Sequence, residues 1–179
     1  QQTRAAYLHL QARLRSLESQ AREGSRRAKQ SFPESLEDFE NWCRAELIGS
    51  VEVLNRAFQG VKKSQFEDVP LIYKAMLLLK NQYVPMRREG GNERMKNFEK
   101  ACNDLGLSDE PTFSGERWGE HGDEYKLRYA GQWRLLDRHL KKGNSKDQRY
   151  CFRLYYFWDD ETEQVVVGWL PSHLDTRQT

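Results

Sequence analysis

Cysteine is scarce in this chain. Only three of its 179 residues are cysteines, Cys43, Cys102 and Cys151. Their odd number, wide spacing and apolar neighbours argue against both a disulfide framework and a cysteine-based metal site. We therefore expect three reduced, buried thiols and a reducing compartment, most simply the cytoplasm.

Long hydrophobic runs are also missing. No apolar run approaches the roughly 18 residues that a membrane-spanning helix needs, and no signal-peptide pattern is present. Hydrophobic residues make up 37% of the chain and charged residues 31%, so part of it should form an exposed helix or a surface that a partner covers. The sequence predicts a cytoplasmic protein that has no membrane partner.

Familiar catalytic motifs are absent as well. The chain has no phosphate loop, no nucleophile elbow, no Cys-x-x-Cys and no His-Glu-x-x-His. A glycine-rich acidic stretch around Glu120 and His121 could be imagined as a metal site, but its spacing matches no specific ligand pattern. We expect a loop there, with no metal and no cofactor.

What the chain does have is segregated charge. Residues 1–30 carry seven basic and two acidic side chains, a net of +5, and residues 126–153 carry nine basic and two acidic ones, a net of +7. Such clustering indicates a local polyanion site. The second cluster supplies the predicted nucleic-acid-binding residues, which are Lys126, Arg128, Arg134, Lys141, Lys142, Lys146 and Arg149.

The N-terminal segment, residues 1–30, reads as a basic amphipathic helix followed by a linker. Apolar residues recur there at alternating spacings of three and four, the a/d pattern of a coiled coil: Tyr7, Leu10, Leu14, Leu17 and Ala21. Two alternatives stay open, a coil that binds a second copy or another protein, and a plain helix that packs on the same chain. Because the pattern is already under way at Gln1, we expect that the helix continues upstream in a longer protein.

Residues 31–108 predict a helical bundle. Ser31 and Glu34 match a capping box, and one apolar face, widened by Ile48, is expected to continue through a single buried helix to Gly60. A third helix is predicted from about Asp68 to Tyr83, with Pro85 stopping it. A fourth helix carries Phe98 and Cys102 and ends at the C′ glycine, Gly106.

Residues 109–179 have a composition that is typical of β-strands. Tyr125–Tyr129 alternates, a turn follows at Ala130-Gly131, and Trp133–Leu140 reads as a strand or a short helix. Two aromatic and β-branched runs at 151–158 and 165–169 then flank an acidic turn and predict a β-hairpin. Its first strand is apolar enough to be central, with helices on both faces. The fold class is therefore α+β, with N-terminal helices, the first of them a candidate coiled coil, followed by a small antiparallel sheet of about four strands.

Polar residues within this sheet are the candidates for chemistry. On the long strand, Arg153 and Tyr155 share a face, and a buried arginine needs either a partner or an open site. On Trp133–Leu140, Arg138 and His139 would point to opposite faces, so that at most one of them reaches a common pocket. Basic, histidine and tyrosine side chains of this kind could cleave RNA without metal. A base would remove the 2′-hydroxyl proton, a cation would stabilise the phosphorane charge, and an acid would protonate the leaving oxygen. The alternative is a solvated basic loop paired with nearby carboxylates.

The stretch Arg153–Asp160, followed by Val165-Val166-Val167-Gly168-Trp169 and then His173, resembles the last hairpin of the RelE/ParE superfamily of bacterial toxins. The resemblance covers about 50 residues, from Tyr125 to Leu174. It implies a small antiparallel sheet and, in the ribonuclease branch, cleavage by arginine, lysine, histidine and tyrosine side chains. Carried over by position, Arg153 matches the strand arginine and His173 the tail residue, while the segment around Arg138 lies in the preceding loop or strand.

Two functions follow as hypotheses. The first is an RNA-binding, toxin-like effector domain at the C-terminal end of a longer bacterial protein. It could act as a metal-independent endoribonuclease with catalytic residues Arg153, His173, Arg138 and Tyr155. RNA is favoured over DNA. The alternative is a non-catalytic interaction module that assembles through residues 1–30, docks a protein or nucleic acid, and serves a larger complex such as a phage-defence system.

Overall fold

The computed structural model describes residues 2–28, 32–113 and 122–174. Residues 1–32 and 33–179 form two separate compact units. The first contains the helix α1 (Gln2–Ala28). The second contains the helices and strands described below. The α+β class is confirmed, and no described helix is long and apolar enough to cross a membrane.

The main sheet of the second unit has five strands in the order β1-β7-β6-β5-β2. The strands are β1 (Val51–Val53), β2 (Ser108–Pro111), β5 (Arg138–Lys142), β6 (Phe152–Asp159) and β7 (Gln164–Trp169). β6 and β7 form the predicted hairpin and β6 is central, as predicted. The sheet is mixed and not purely antiparallel, because β1 joins β7 in parallel.

A second, two-stranded sheet is formed by β3 (Lys126–Tyr129) and β4 (Gln132–Leu135), which follow the short helix α7 (Gly122–Tyr125). Ala130 and Gly131 make the predicted turn between them, both with positive φ. The expectation of one continuous element over Trp133–Leu140 is wrong. β4 ends at Leu135, and β5 starts at Arg138 in the other sheet.

The helix predicted to reach Gly60 is broken into α2 (Phe39–Glu46), β1 and α3 (Asn55–Lys62). Gly49, at a φ of +78°, turns the chain out of α2. The β-branched residues Val51 and Val53 then pair with β7. Ile48, expected on the buried face, is 80% exposed. The predicted cap residue Ser31 lies outside the described residues.

The third helical segment does not stop at Pro85, which corrects that prediction. α4 (Val69–Leu78) passes into a π-helical turn (Leu79–Tyr83) and then into α5 (Val84–Glu89). The amide of Val84 donates to the carbonyl of Leu79, five residues back. The wider turn accommodates a proline, which lacks the donor that an α-helix would require at that point. α6 (Asn92–Leu105) ends at the left-handed Gly106, as predicted.

Both faces of β6 are buried, and different elements cover them. On one face, aromatic residues from the helical part of the chain pack against the strand. The ring centroids are 5.5 Å apart for Phe66–Phe152 and 5.1 Å apart for Tyr83–Tyr156. On the other face Tyr155 and Phe157 pack with Tyr125 from α7 and with Leu136, which follows β4. The expectation of helices on both faces therefore holds for one face, while the β3–β4 hairpin contributes to covering the other.

Candidate functional site

Arg153 is the second residue of the central strand, β6, and is 8% exposed. Its Nη1 donates to the carbonyl oxygens of Phe152 at 2.7 Å and Gly143 at 2.9 Å, and more weakly to that of Lys142 at 3.4 Å. Its backbone amide donates to the carbonyl of Pro171 at 2.8 Å. These bonds tie the turn after β5 and the segment after β7 to the central strand, and they account for the burial of the charge without a substrate.

Tyr155 and His173 lie on the same face of the sheet as Arg153. The Tyr155 hydroxyl accepts the Leu174 amide at 3.4 Å, and the Tyr125 hydroxyl donates to the Leu174 carbonyl at 3.2 Å. Leu174 is thus held between two tyrosines. This anchor places the exposed ring of His173 with its centroid 6.4 Å from that of Tyr155. Burial raises the pKa of the Tyr155 phenol well above its usual value.

His139 completes this face from β5. It is directly opposite Tyr155 in the ladder, and the two ring centroids are 5.4 Å apart. Its Nε2 is 3.9 Å from Oε2 of Glu110, while its buried Nδ1 has no hydrogen-bond partner among the described residues. Burial lowers the pKa of His139 to about 4, so the imidazole is neutral at pH 7. We call this set, Glu110, His139, Tyr155 and His173, the histidine face.

Arg138 points to the opposite side of the sheet. Its Nη2 and Nε both donate to Oδ2 of Asp109 on β2, at 2.8 Å and 3.2 Å, and Asp109 also accepts the Tyr156 hydroxyl. This network borders a cavity of about 570 Å³ lined by Met86, Met95 and Phe98 among others. Of the four predicted catalytic residues, the structure brings Arg153, Tyr155 and His173 to one face and separates Arg138 from them.

Two residues of the histidine face, His139 and Glu110, are not among the predicted catalytic residues. His139 enters the prediction only as the alternative to Arg138 on the opposite face, and Glu110 carries no sequence signal. β2 has the sequence Ser-Asp-Glu-Pro, which contains no typical strand residue. Such a strand is tolerated because β2 lies at the edge of the sheet. Only the register of the β2–β5 pair, which puts Glu110 opposite His139, shows that Glu110 belongs to the histidine face.

Much of the predicted basic cluster is engaged in internal contacts. Arg134 pairs with Asp159 at 3.0 Å and lies over the Phe157 ring, Lys141 pairs with Glu110 at 3.1 Å, and Arg149 pairs with Asp147 at 2.6 Å. Lys142 donates to the carbonyl of Leu105 at 3.2 Å and so caps the end of α6. Lys146 is exposed and has no ion pair with any residue that the structure describes.

The outer surface of the β3–β4 hairpin has a different character. Cross-strand pairing brings Arg128 opposite Trp133, with the guanidinium carbon 5.3 Å from the indole centroid. Trp133 is 66% exposed although it is large and aromatic. Lys126 precedes Arg128 by two positions and is exposed on the same face, without an ion pair within the described ranges. We call Lys126, Arg128 and Trp133 the hairpin platform.

The inner face of the same hairpin is fastened to the main sheet. The Tyr129 ring lies 5.5 Å from that of Phe157, and its hydroxyl donates to Glu52 of β1 at 2.5 Å. The Leu136 amide donates to the Tyr125 carbonyl at 2.8 Å. Because these contacts fix the inner face, the outer face presents the hairpin platform on a rigid support.

No cluster of three or more potential metal ligands is present in residues 2–28, 32–113 and 122–174. His121 and Glu120, considered above for a metal, lie outside those ranges. Comparison of the chain with protein-family models, with curated proteins and with solved structures gave no match. The chemistry of the residues themselves is therefore the basis for the function proposed next.

Proposed function

We propose that this chain binds single-stranded RNA on the hairpin platform. The observation that supports the proposal is the exposed Trp133 indole, which lies against Arg128, with Lys126 two positions along the strand on the same face. Single-strand binding proteins combine an aromatic surface on which a base stacks with basic side chains that follow the phosphates. Tryptophan combines a large apolar ring with a polar N–H and is enriched at binding surfaces, which fits an exposed indole at such a site.

The experiment measures binding of a fluorescent single-stranded RNA as a function of salt. Trp133→Ala should weaken binding by about 1–3 kcal/mol, the usual contribution of one stacked base. The double variant Lys126→Ala/Arg128→Ala should reduce the slope of log K against log salt by about 1.4, since each phosphate contact on a single strand contributes about 0.7.

A matched control removes the same charge from another surface. Lys96 and Lys100 are exposed on α6, and their double alanine variant should leave the salt slope nearly unchanged. A DNA strand of the same base sequence tests the preference for RNA. Equal effects of the two double variants would mean that binding follows overall charge and that the platform is not the site.

Metal-independent RNA cleavage by a toxin-like domain is a second candidate, and the histidine face favours it. His139, whose imidazole is neutral at pH 7, and the exposed His173 lie on the same face and are two side chains of the type that transfers protons. Lys141, beside Glu110, offers a positive charge for the phosphorane.

Cleavage is tested by incubating the chain with labelled RNA in the presence of a metal chelator. His139→Ala and His173→Ala should each reduce the rate by about 10²-fold or more if they transfer protons. Lys142→Ala, on the same strand as His139 but facing the other side, is the control. RNA that stays intact while it binds the platform would leave a non-catalytic binding module as the function.

A further inference from the structure

The first unit of the chain carries an apolar stripe that nothing in that unit covers. Tyr7, Leu10, Leu14 and Leu17 of α1 are each between 56% and 64% exposed. They lie on one side of the helix because residues three and four apart are neighbours on a helical surface. A single helix in water gains little from tertiary packing, and a contiguous apolar stripe marks a surface for a partner.

The spacing of the stripe specifies the shape of that partner. Tyr7 and Leu14 occupy a positions and Leu10 and Leu17 occupy d positions, a seam that matches another helix of the same repeat. Ala21 continues the seam, and the next d position is Gly24. The seam is therefore short, and we expect that association through it depends on protein concentration.

Charge beside the seam distinguishes the partners. In this register Arg13 is a g residue and Glu18 is the e residue of the following heptad, and both are exposed. In a parallel, in-register pair, position g of one helix faces position e of the next heptad on the other. Arg13 would thus meet Glu18 of a second copy, twice by symmetry. In an antiparallel pair with full overlap, g faces g and the two Arg13 side chains would repel each other.

We propose that α1 pairs with α1 of a second copy of this chain as a parallel, in-register two-stranded coiled coil. The apolar seam supplies the attraction, and the two Arg13–Glu18 pairs select the parallel arrangement. Such a dimer would present two hairpin platforms per assembly. The inference does not depend on RNA binding, because it rests on residues of the first unit only.

Disulfide trapping in the full-length chain tests the arrangement directly. The three natural cysteines are all buried, so an introduced cysteine is the accessible thiol. Leu10→Cys alone should form a covalent dimer on mild oxidation, because d faces d in a parallel pair. Arg15→Cys, at an exposed b position, should stay monomeric under the same conditions. Heterodimers formed only on mixing Leu10→Cys with Leu14→Cys would instead show an antiparallel pair and overturn the proposal.

Charge exchange provides a second, independent readout by sedimentation equilibrium. Arg13→Glu and Glu18→Arg should each weaken the dimer by about tenfold, since each turns two attractive pairs into repulsive ones. The combined exchange Arg13→Glu/Glu18→Arg should restore the dimer. A chain that is monomeric at all accessible concentrations, or a double exchange no better than either single variant, would overturn the proposal and leave the stripe to a different partner.

Discussion

At the scale of single residues, Arg153 shows how a charge is kept inside a central strand. Its guanidinium and backbone amide bind the carbonyl oxygens of the turn after β5 and of Pro171. Alanine keeps the backbone bond to Pro171 but leaves the carbonyls of Phe152 and Gly143 without the guanidinium, so Arg153→Ala should lower the free energy of unfolding by about 1–3 kcal/mol, measured by urea denaturation. Arg153→Lys should recover only part of that loss. A loss below about 0.5 kcal/mol would show that the arginine is kept for binding or chemistry.

His139 makes a prediction about pH at the same scale. Its pKa is lowered to about 4 in the folded chain because the imidazole is buried, against about 6.5 when unfolded. Between these values the unfolded state binds more protons, so the folded chain should lose stability as pH falls from 6.5 towards 4, by about 3 kcal/mol in total. His139→Gln, which cannot titrate, should lack this part of the decline. Identical pH profiles of the two chains would contradict the burial of a neutral imidazole.

At the scale of secondary-structure elements, the β3–β4 hairpin and the segment after it lie very close to β7. A Cβ atom added to Gly168 would lie 2.5 Å from Cδ2 of Leu136 and 3.1 Å from Cδ2 of Leu127. Gly168→Ala should therefore cost about 1–3 kcal/mol of stability through overpacking. The cost should be smaller in a Leu136→Ala background, where the clashing atoms are removed. If Gly168→Ala costs the same stability in both backgrounds, the contact with Leu136 is not the reason for a glycine at this position.

The elements that could be predicted from sequence are those whose local signals agree with their surroundings. β6, β7 and α6 combine strong propensity with clear ends, such as the acidic turn after Asp159 and Gly106. β1 and β2 could not be predicted, because each is an edge strand that owes its conformation to pairing with β7 or β5. The sequence predicts a helix stop at Pro85 because the π-helical turn that accommodates this proline has no sequence signature.

The candidate site could be predicted only in part, for a related reason. Alternation along β6 correctly puts Arg153 and Tyr155 on one face, since it needs nothing beyond the strand. Which of Arg138 and His139 joins them depends on how β5 lies against β6, and the register puts His139 opposite Tyr155. Ion pairing likewise could not be predicted: a net charge of +7 over residues 126–153 says nothing of the Asp159, Glu110 and Asp147 partners.

At the scale of the whole molecule, the division into two compact units predicts that assembly and stability can be separated. Removing residues 1–32 should change the unfolding free energy of the remainder by less than about 0.5 kcal/mol, while the mass seen by light scattering should fall from that of a dimer to that of a shortened monomer. Collapse of the shortened chain would show that the helix is part of the same core.

The same shortened chain also decides which basic segment binds RNA. Residues 1–30 carry a net charge of +5, and such a helix attracts any polyanion at low salt. The hairpin platform, by contrast, combines charge with an exposed indole and lies wholly within the second unit.

At about 150 mM salt, where the Debye length is about 8 Å, the chain lacking residues 1–32 should bind a short single-stranded RNA nearly as tightly as the full chain. It should also keep its sensitivity to Trp133→Ala. Loss of binding on truncation, with no effect of Trp133→Ala in the full chain, would transfer the RNA site from the hairpin to the N-terminal helix.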